Sequence, residues 1–426
     1  GILLCADRVQ EALMARAPFA QARRGSPGWC LRGVIRVFVS TLSATVGASV
    51  LTTPLTALYF QSVPLIALLS NLLTLWAVSG LFSAGLILGT AGLLLPRAAA
   101  VLAGPAGVLG RYLILVVQGL SQARFSAITM DTVPYRAWLV FVYLLIVFVL
   151  IQRGKRRWVL PICAGASALC LAMVLNSLSF WQGAGSVTAL DVGQGQSILV
   201  RSGHFLTLVD CGGDGYDNAG DVAGDYLGDR GVRRLDLLVL THFHDDHANG
   251  VGQLLRRLEV DTLAIPDVDP DSPMRQEITA LAEERGVQVL YIRDDTTLTL
   301  EDGRTIRLFA PLGSGESNEE GLAVLASQGD FDVLISGDMG ADVEELLLAH
   351  AQLPRVEVLA AGHHGSQYST SQALLDQIRP EYVLISVGAD NRYGHPAQAT
   401  VERIAAAGAE IYRTDVSGTI TIQVKK

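Results

Sequence analysis

Over the first 180 residues the chain is apolar in long, nearly unbroken runs; from about residue 186 the runs shorten and alternate with polar turns. These two patterns predict two kinds of element. A helix that crosses a membrane needs roughly 20 mostly apolar residues. Residues 34–59 form one such run, in which Pro54 predicts a kink or break. Residues 62–95 are apolar almost throughout, too long for one ordinary span, and predict two spans or a span plus an interfacial helix. Residues 106–120 are shorter, 137–151 (AWLVFVYLLIVFVLI) form the clearest span, and 158–178 the last. The pattern therefore sets a polytopic helical membrane region at 1–180 and a second domain at 183–426.

In that second domain SVTALDVG, SILVRS, HFLTLVDCGG, LDLLVLTH and VDTLAIP read as strands bounded by Gly, Asp and Pro. GVGQLLRRLE, MRQEITALAEERG, ADVEELLLAH, SQALLDQIRP and ATVERIAAAG have apolar spacing near 3.6 and read as helices. Further strands run from TLTLEDG to GTITIQV. Early strand pairs followed by strand–helix alternation predict an α/β sandwich, two sheets with helices outside.

Charge sharpens the division. Residues 1–180 hold three acids (Asp7, Glu11, Asp131) and fourteen Lys or Arg, whereas 181–426 hold 38 acids and 18 bases, so two environments are expected. Five apolar runs with almost no acids exclude a buried soluble core for the first part. The basic loop Arg153, Lys155, Arg156 and Arg157 favours the cytoplasmic side. One helix then follows, which puts the acidic domain outside the cytoplasm. Arg23, Arg24, Arg32 and Arg36 favour the cytoplasm too, which requires an even number of crossings before Arg153. Of five cysteines only Cys211 lies in the acidic part, so no disulfide framework exists there. The chain opens at Gly1 in mid-pattern and reads as a fragment lacking its natural N-terminus.

Polar residues recur where apolar strands end: Asp191, Asp210, His242, Asp338, His363 and His364. Three of the eight histidines fall in THFHDDHANG, residues 241–250. Strand ends bring distant loops to one edge, so these residues can converge. Imidazole nitrogens and carboxylate oxygens suit zinc, manganese or iron. His242 and His244 can face one ion, Asp246 and His247 a second, and a carboxylate at Asp338 can bridge them, an arrangement suited to hydrolysis. His204 and His350 sit in no motif and read as structural. Asp214, Asp217, Asp221, Asp225 and Asp229 read as a solvated acidic loop. DVGQG lacks the spacing of a dinucleotide loop.

HFHDDH has the His-x-His-x-Asp-His form of the metallo-β-lactamase fold superfamily. The set DVGQG (191–195), LVDCGG (208–213), THFHDDH, ISGDMG (335–340), GHHGS (362–366) and YGHP (393–396) resembles, more narrowly, ComEC-type competence proteins. The stretch 41–73 resembles their membrane region. The resemblance implies an αββα sandwich and two divalent ions, manganese or zinc. It assigns His242 and His244 to the first ion, Asp246 and His247 to the second, Asp338 to the bridge, and either His363 or His364, with preference for His364, to the last ligand. Asp246 would also orient the attacking water. Asp210 would fix the His loop, and His395 would be a ligand or a proton donor to the leaving group. The implied function is DNA uptake in natural transformation, at the inner or plasma membrane. A channel part would carry single-stranded DNA, and a metal-dependent phosphodiesterase would degrade the other strand, meeting duplex at the metal site. Membrane lipid and other competence proteins are the further expected partners. Two alternatives are a transport component with a non-catalytic metal domain and a small-substrate hydrolase on a membrane anchor. The sequence departs from the pattern twice: residues 248–337 contain no histidine, with Asn318 in the Asn-bearing stretch, and Gln196 replaces a carboxylate after DVGQG. The acidic balance disfavours broad phosphate binding, leaving a local track of Arg230, Arg233, Arg234, Arg256 and Arg257.

Overall fold

The computed structural model describes residues 7–15, 27–59, 62–121, 127–130, 132–151, 159–300, 303–313 and 321–424. The chain forms two compact units, Gly1–Val174 and Leu175–Lys426.

The first unit is helical: α1 (Asp7–Met14), α2 (Pro27–Tyr59), α3 (Ala67–Leu94), α4 (Pro96–Ser121), α5 (Val133–Ile151) and most of α6 (Val159–Phe180), with a two-stranded antiparallel pair β1 (Ser62–Pro64) and β2 (Ala127–Thr129). Among the described residues four helices, including α6, are long and apolar enough to cross a membrane, or five if the bent α2 counts as one span. Residues 62–95 resolve to β1 followed by one 28-residue helix, not two spans. At about 1.5 Å per residue such a helix exceeds the roughly 30 Å of a bilayer's hydrocarbon core. The kink expected at Pro54 is present: Ile35–Val50 and Thr52–Tyr59 meet at 53°. Proline has no N–H and its ring crowds the carbonyl four residues back. That carbonyl belongs to Val50, and it accepts a hydrogen bond from the Tyr143 hydroxyl at 2.8 Å. Arg23, Arg24 and the basic loop 153–157 lie outside the described residues.

The second unit contains two seven-stranded sheets. Its elements are β3 (Gly185–Ala189), β4 (Ile198–Ser202), β5 (Phe205–Val209), α7 (Ala219–Asp229), β6 (Arg234–Val239), α8 (Asp245–Ala248), α9 (Val251–Arg257), β7 (Glu259–Pro266), α10 (Pro273–Glu284) and β8 (Gln288–Ile292). Then follow β9 (Thr296–Thr299), β10 (Thr305–Phe309), β11 (Ala323–Ser327), β12 (Asp332–Ile335), α11 (Ala341–His350), β13 (Val358–Ala360), a 3-10 turn at Gly362–Gly365, α12 (Gln372–Ile378), β14 (Tyr382–Ile385), α13 (Gln398–Ala406), β15 (Glu410–Arg413), α14 (Thr414–Ser417) and β16 (Ile420–Val424). One sheet has the order β16-β3-β4-β5-β6-β7-β8, parallel from β5 onward; the other is β15-β14-β13-β12-β11-β10-β9, parallel from β15 to β12.

Alternation along the strands builds the layers, because successive side chains point to opposite faces. In β4, Ile198 and Val200 face the core between the sheets while Leu199 joins the core under α7, α9 and α10. In β12, Val333 and Ile335 face the same central core while Leu334 packs toward α11 and α12. The expected αββα sandwich is the observed one. One expectation fails: the acidic run contains a helix, α7, with Ala219, Ala223 and Leu227 buried. Its aspartates read as a solvated loop, but its glycines permit close packing. A Cβ on Gly220 would sit 2.1 Å from the Gly250 carbonyl oxygen of the segment entering α9. Asp221 and Asp225 both pair with Arg257 on α9.

Candidate metal centre

The parallel strands of both sheets deliver their C-terminal ends to one edge. Asp210 follows β5, the His loop follows β6, Asp338 follows β12, and His363 and His364 follow β13. The loops lie close because glycine lets backbone meet backbone. A Cβ on Gly212 would fall 2.4 Å from the His247 nitrogen, and one on Gly195 2.6 Å from the Asp246 carbonyl oxygen. Backbone bonds lock the arrangement: Gln196 N–H donates to Asp246 O (2.9 Å) and Cys211 N–H to His247 O (2.8 Å).

Ligand atoms of Asp246, His247, Asp338 and His364 all lie within 4.8 Å of one another. His247 Nε2 is 3.0 Å from Asp338 Oδ1, and His364 Nε2 is 3.3 Å from Asp246 Oδ2. His242 Nε2 lies 3.9 Å from Asp338 Oδ2. Each of these imidazoles is held from behind by its other nitrogen. His247 Nδ1 donates to Asp210 Oδ2 at 2.7 Å, and His364 Nδ1 to the Ser386 carbonyl at 2.9 Å, since neither acceptor can donate. The Thr241 hydroxyl donates to Asp210 (2.8 Å), so it accepts from His242 Nδ1 at 3.0 Å. Fixing the proton on Nδ1 leaves the Nε2 lone pair facing the cluster. The Nε2 atoms of His242, His247 and His364 and Oδ1 of Asp338 are buried without a hydrogen-bond partner. Buried polar atoms are seldom left so. A divalent cation fits these donors: it would satisfy the orphaned atoms together.

Electrostatics agree. Burial opposes ionisation of Asp338, but His247, His364 and His242 outweigh it and hold the carboxyl well below its usual range. Burial likewise opposes ionisation of Asp246, yet His364 and His247 bring it down to about 2. Burial, reinforced by His247, pushes His242 well below the usual imidazole value. For His247 burial is outweighed by Asp338 and Asp210, so without a cation it holds a proton well above its ordinary range. That proton occupies the place of the metal, and binding must release it.

The remaining expected residues divide. His244 caps α8 and is exposed, its ring 4.8 Å from that of His242, and it is outside the four-residue set. His363 lies 3.6 Å from Asp338 Oδ2 but is partly exposed, whereas His364 is buried. His395 stands next to His363, ring centroids 5.8 Å apart, with its pKa lowered by burial and by His363 and His364. Both His363 and His364 have positive φ (50° and 54°), as does Asp210 (60°), a conformation costing about 1 kcal/mol or more per residue. Asp191 does not join the cluster; it is exposed and accepts from Gly193 N–H. His204 and His350 stand apart, beside Trp181 and Asp295. Asn318 lies outside the described residues. Gln196 does not reach the cluster directly: its Nε2 donates to Asp210 Oδ2 at 2.8 Å, where a carboxylate would need a proton. Of the expected basic track, Arg230 covers the Tyr226 ring, Arg234 pairs with Asp261, and Arg257 pairs with two aspartates.

Thr241, Ser386 and Glu344 were not foreseen. Thr241 could have been noticed as the hydroxyl between strand and histidine. Glu344, buried in α11, accepts the N–H groups of Thr370 and Ser371 at 2.7 Å each and anchors the segment after GHHGS. No local signal marks it.

The fold and the site define a domain of the metallo-β-lactamase class: residues 190–389 match the metallo-beta-lactamase superfamily, whose fold binds divalent metal. Residues 1–156 match the competence protein family. The chain is thus of the ComEC type, a competence region followed by a metallo-β-lactamase domain. It is 26% identical over 305 residues to ComE operon protein 3 of Bacillus subtilis (67% of this chain, 39% of that one). It is 31% identical over 240 residues to competence protein ComA of Neisseria gonorrhoeae (55% and 32%). It is 29% identical over 279 residues to recombination protein 2 of Haemophilus influenzae (63% and 32%). The chain spans 32% to 39% of the length of these relatives.

Proposed function

We propose that the protein serves DNA uptake, with its apolar helices contributing to a membrane channel and its metallo-β-lactamase domain acting as a metal-dependent phosphodiesterase on DNA outside the cytoplasm. The observation that carries the catalytic reading is the set of buried His247, Asp338 and His364 with half-buried Asp246, whose unpartnered Nε2 and Oδ1 atoms are aimed at one point. A divalent ion in that set supplies Lewis-acid polarisation of a phosphoryl group and acidifies water. The chain's own residues do the rest. Asp210 and the Ser386 carbonyl hold His247 and His364 in the tautomer that ligates. Asp246, ionised at any physiological pH, accepts a hydrogen bond from the attacking water and orients it. His395, neutral at pH 7 through its lowered pKa, exchanges a proton at the mouth of the site. His242 and His244 form a second, more open half-site beside the first. The names of the relatives, two of them competence or com-operon proteins and one a recombination protein, support the uptake role.

The test uses the full chain in detergent with manganese. Cleavage of DNA that disappears in Asp246→Ala and His247→Ala is expected. Stoichiometric metal binding without cleavage of any DNA would replace the enzyme by a binding component. Turnover confined to a small ester would point to the anchored hydrolase.

A further inference from the structure

We infer that the mouth of the metal centre is a base-stacking platform made by Tyr216, Tyr368 and Tyr393 with Arg392, and that its ligand is a single strand with unpaired bases. The inference rests on the phosphodiesterase reading and specifies its substrate. Among the described residues of 181–426, four large aromatic side chains are strongly exposed: Tyr216, Tyr291, Tyr368 and Tyr393. Three of the four sit on loops that also carry residues of the metal centre. Tyr216 follows CGGDG, Tyr368 lies four residues beyond His364, and Tyr393 two before His395.

The rings form a path inward. Tyr393 stacks on His395 with centroids 5.9 Å apart and planes inclined by 15°. His395 is 5.8 Å from His363, and His363 is 6.2 Å from His364. Outside, the Arg392 guanidinium lies 5.1 Å over the Tyr393 ring and donates to its hydroxyl. The loops are tied together through Gln194, whose N–H donates to Asp214 two residues before Tyr216 and whose side-chain oxygen accepts from Gly388. Tyr368 is placed by its carbonyl, which accepts from Ala341 N–H just beyond Asp338.

Charge decides which nucleic acid suits this surface. Duplex binding relies on Lys and Arg against phosphates. Residues 181–426 carry 38 acids against 18 bases, and three of the five arginines near the His loop are engaged internally. A duplex also hides the faces of its bases. A single strand exposes them, and stacking on an aromatic ring is indifferent to sequence, worth roughly tenfold in affinity per base.

The test measures binding of the full chain in detergent with manganese, using phosphorothioate strands that resist cleavage. Three probes of equal length are compared: a single strand, the same strand made abasic, and the duplex. The single strand should bind at least tenfold more tightly than either other probe. Tyr368→Ala and Tyr393→Ala should each remove about tenfold of that preference, Tyr393→Phe should retain it, and manganese affinity should not change in any of them. Equal affinity for base-bearing and abasic strands, or a preference that survives Tyr216→Ala, Tyr368→Ala and Tyr393→Ala together, overturns the platform while leaving the phosphodiesterase intact. If no DNA is bound or cleaved, the platform and the phosphodiesterase reading fall together.

Discussion

Asp210 supports the candidate metal centre from behind the His247 ring. It is fully buried and accepts four hydrogen bonds: Thr241 N–H (2.7 Å) on Oδ1, and the Thr241 hydroxyl (2.8 Å), Gln196 Nε2 (2.8 Å) and His247 Nδ1 (2.7 Å) on Oδ2. In Asp210→Asn the shape and the tolerance of positive φ are kept, but one oxygen becomes an NH₂. Placed at Oδ1, the NH₂ faces the Thr241 N–H; placed at Oδ2, it faces Gln196 and the His247 N–H. Donor meets donor either way. In the first case a buried N–H is orphaned, costing about 1–3 kcal/mol of stability. In the second, His247 escapes by moving its proton to Nε2, which removes the lone pair aimed at the cluster. Losing such an outer partner typically weakens metal affinity about 10- to 100-fold, or roughly 1.4–2.7 kcal/mol. Calorimetric titration of the full chain with manganese reads the affinity, and thermal denaturation in EDTA reads the stability. Asp210→Gly relieves the φ strain yet removes every acceptor, so it should be worse than Asp210→Asn on both readouts. Affinity and melting temperature of Asp210→Asn both matching wild type would refute the role given to Asp210.

Three further outcomes are expected. Gly212→Ala puts a methyl 2.4–2.5 Å from the backbone nitrogens of His247 and Ala248 and should displace α8; manganese affinity should fall at least about tenfold, and unchanged affinity in the calorimeter would count against backbone contact as the reason for this glycine. In the metal-free protein Asp246 has a folded pKa of about 2 against an ordinary 3.8, so its stabilisation is complete above pH 3.8 and is lost as pH falls toward 2. Melting curves in EDTA from pH 5 to 2.5 should be flatter for Asp246→Asn; parallel curves would contradict the coupling to His364 and His247. In the membrane region, Tyr143→Phe removes the donor to the Val50 carbonyl that Pro54 leaves unpaired. It should cost about 0.5–1.5 kcal/mol in the presence of Pro54 and little in Pro54→Ala, where residue 54 regains its N–H; additive losses in that double-mutant cycle would exclude the compensation.

Much of this was legible from periodicity. The short β-branched and leucine-rich runs became strands because burial on both faces of a parallel sheet demands continuous apolar sequence. His242 and Asp338 were legible because each follows such a run, and His247 because it shares one short loop with two other histidines. Alternatives closed only in three dimensions. Residues 62–95 form one helix after β1, although their length alone allowed two spans. The acidic run became α7 because Gly220 faces α9, a contact that local composition does not announce.

The sequence by itself determined the class of each half, since run length, alternation and charge are local properties, and it determined the ligand types, since donor chemistry belongs to the side chain. The tertiary structure alone decided which donors share a point. His363 and His364 are adjacent and chemically identical, yet only His364 is buried with Nδ1 held by the Ser386 carbonyl and Nε2 turned to the cluster. His244, two residues from His242, is exposed at the cap of α8, its ring 4.8 Å from that of His242. Gln196, which read as a missing carboxylate, is a donor to Asp210. Each outcome depends on backbone direction and on a partner far away in the chain, and neither is written in the spacing of the motif.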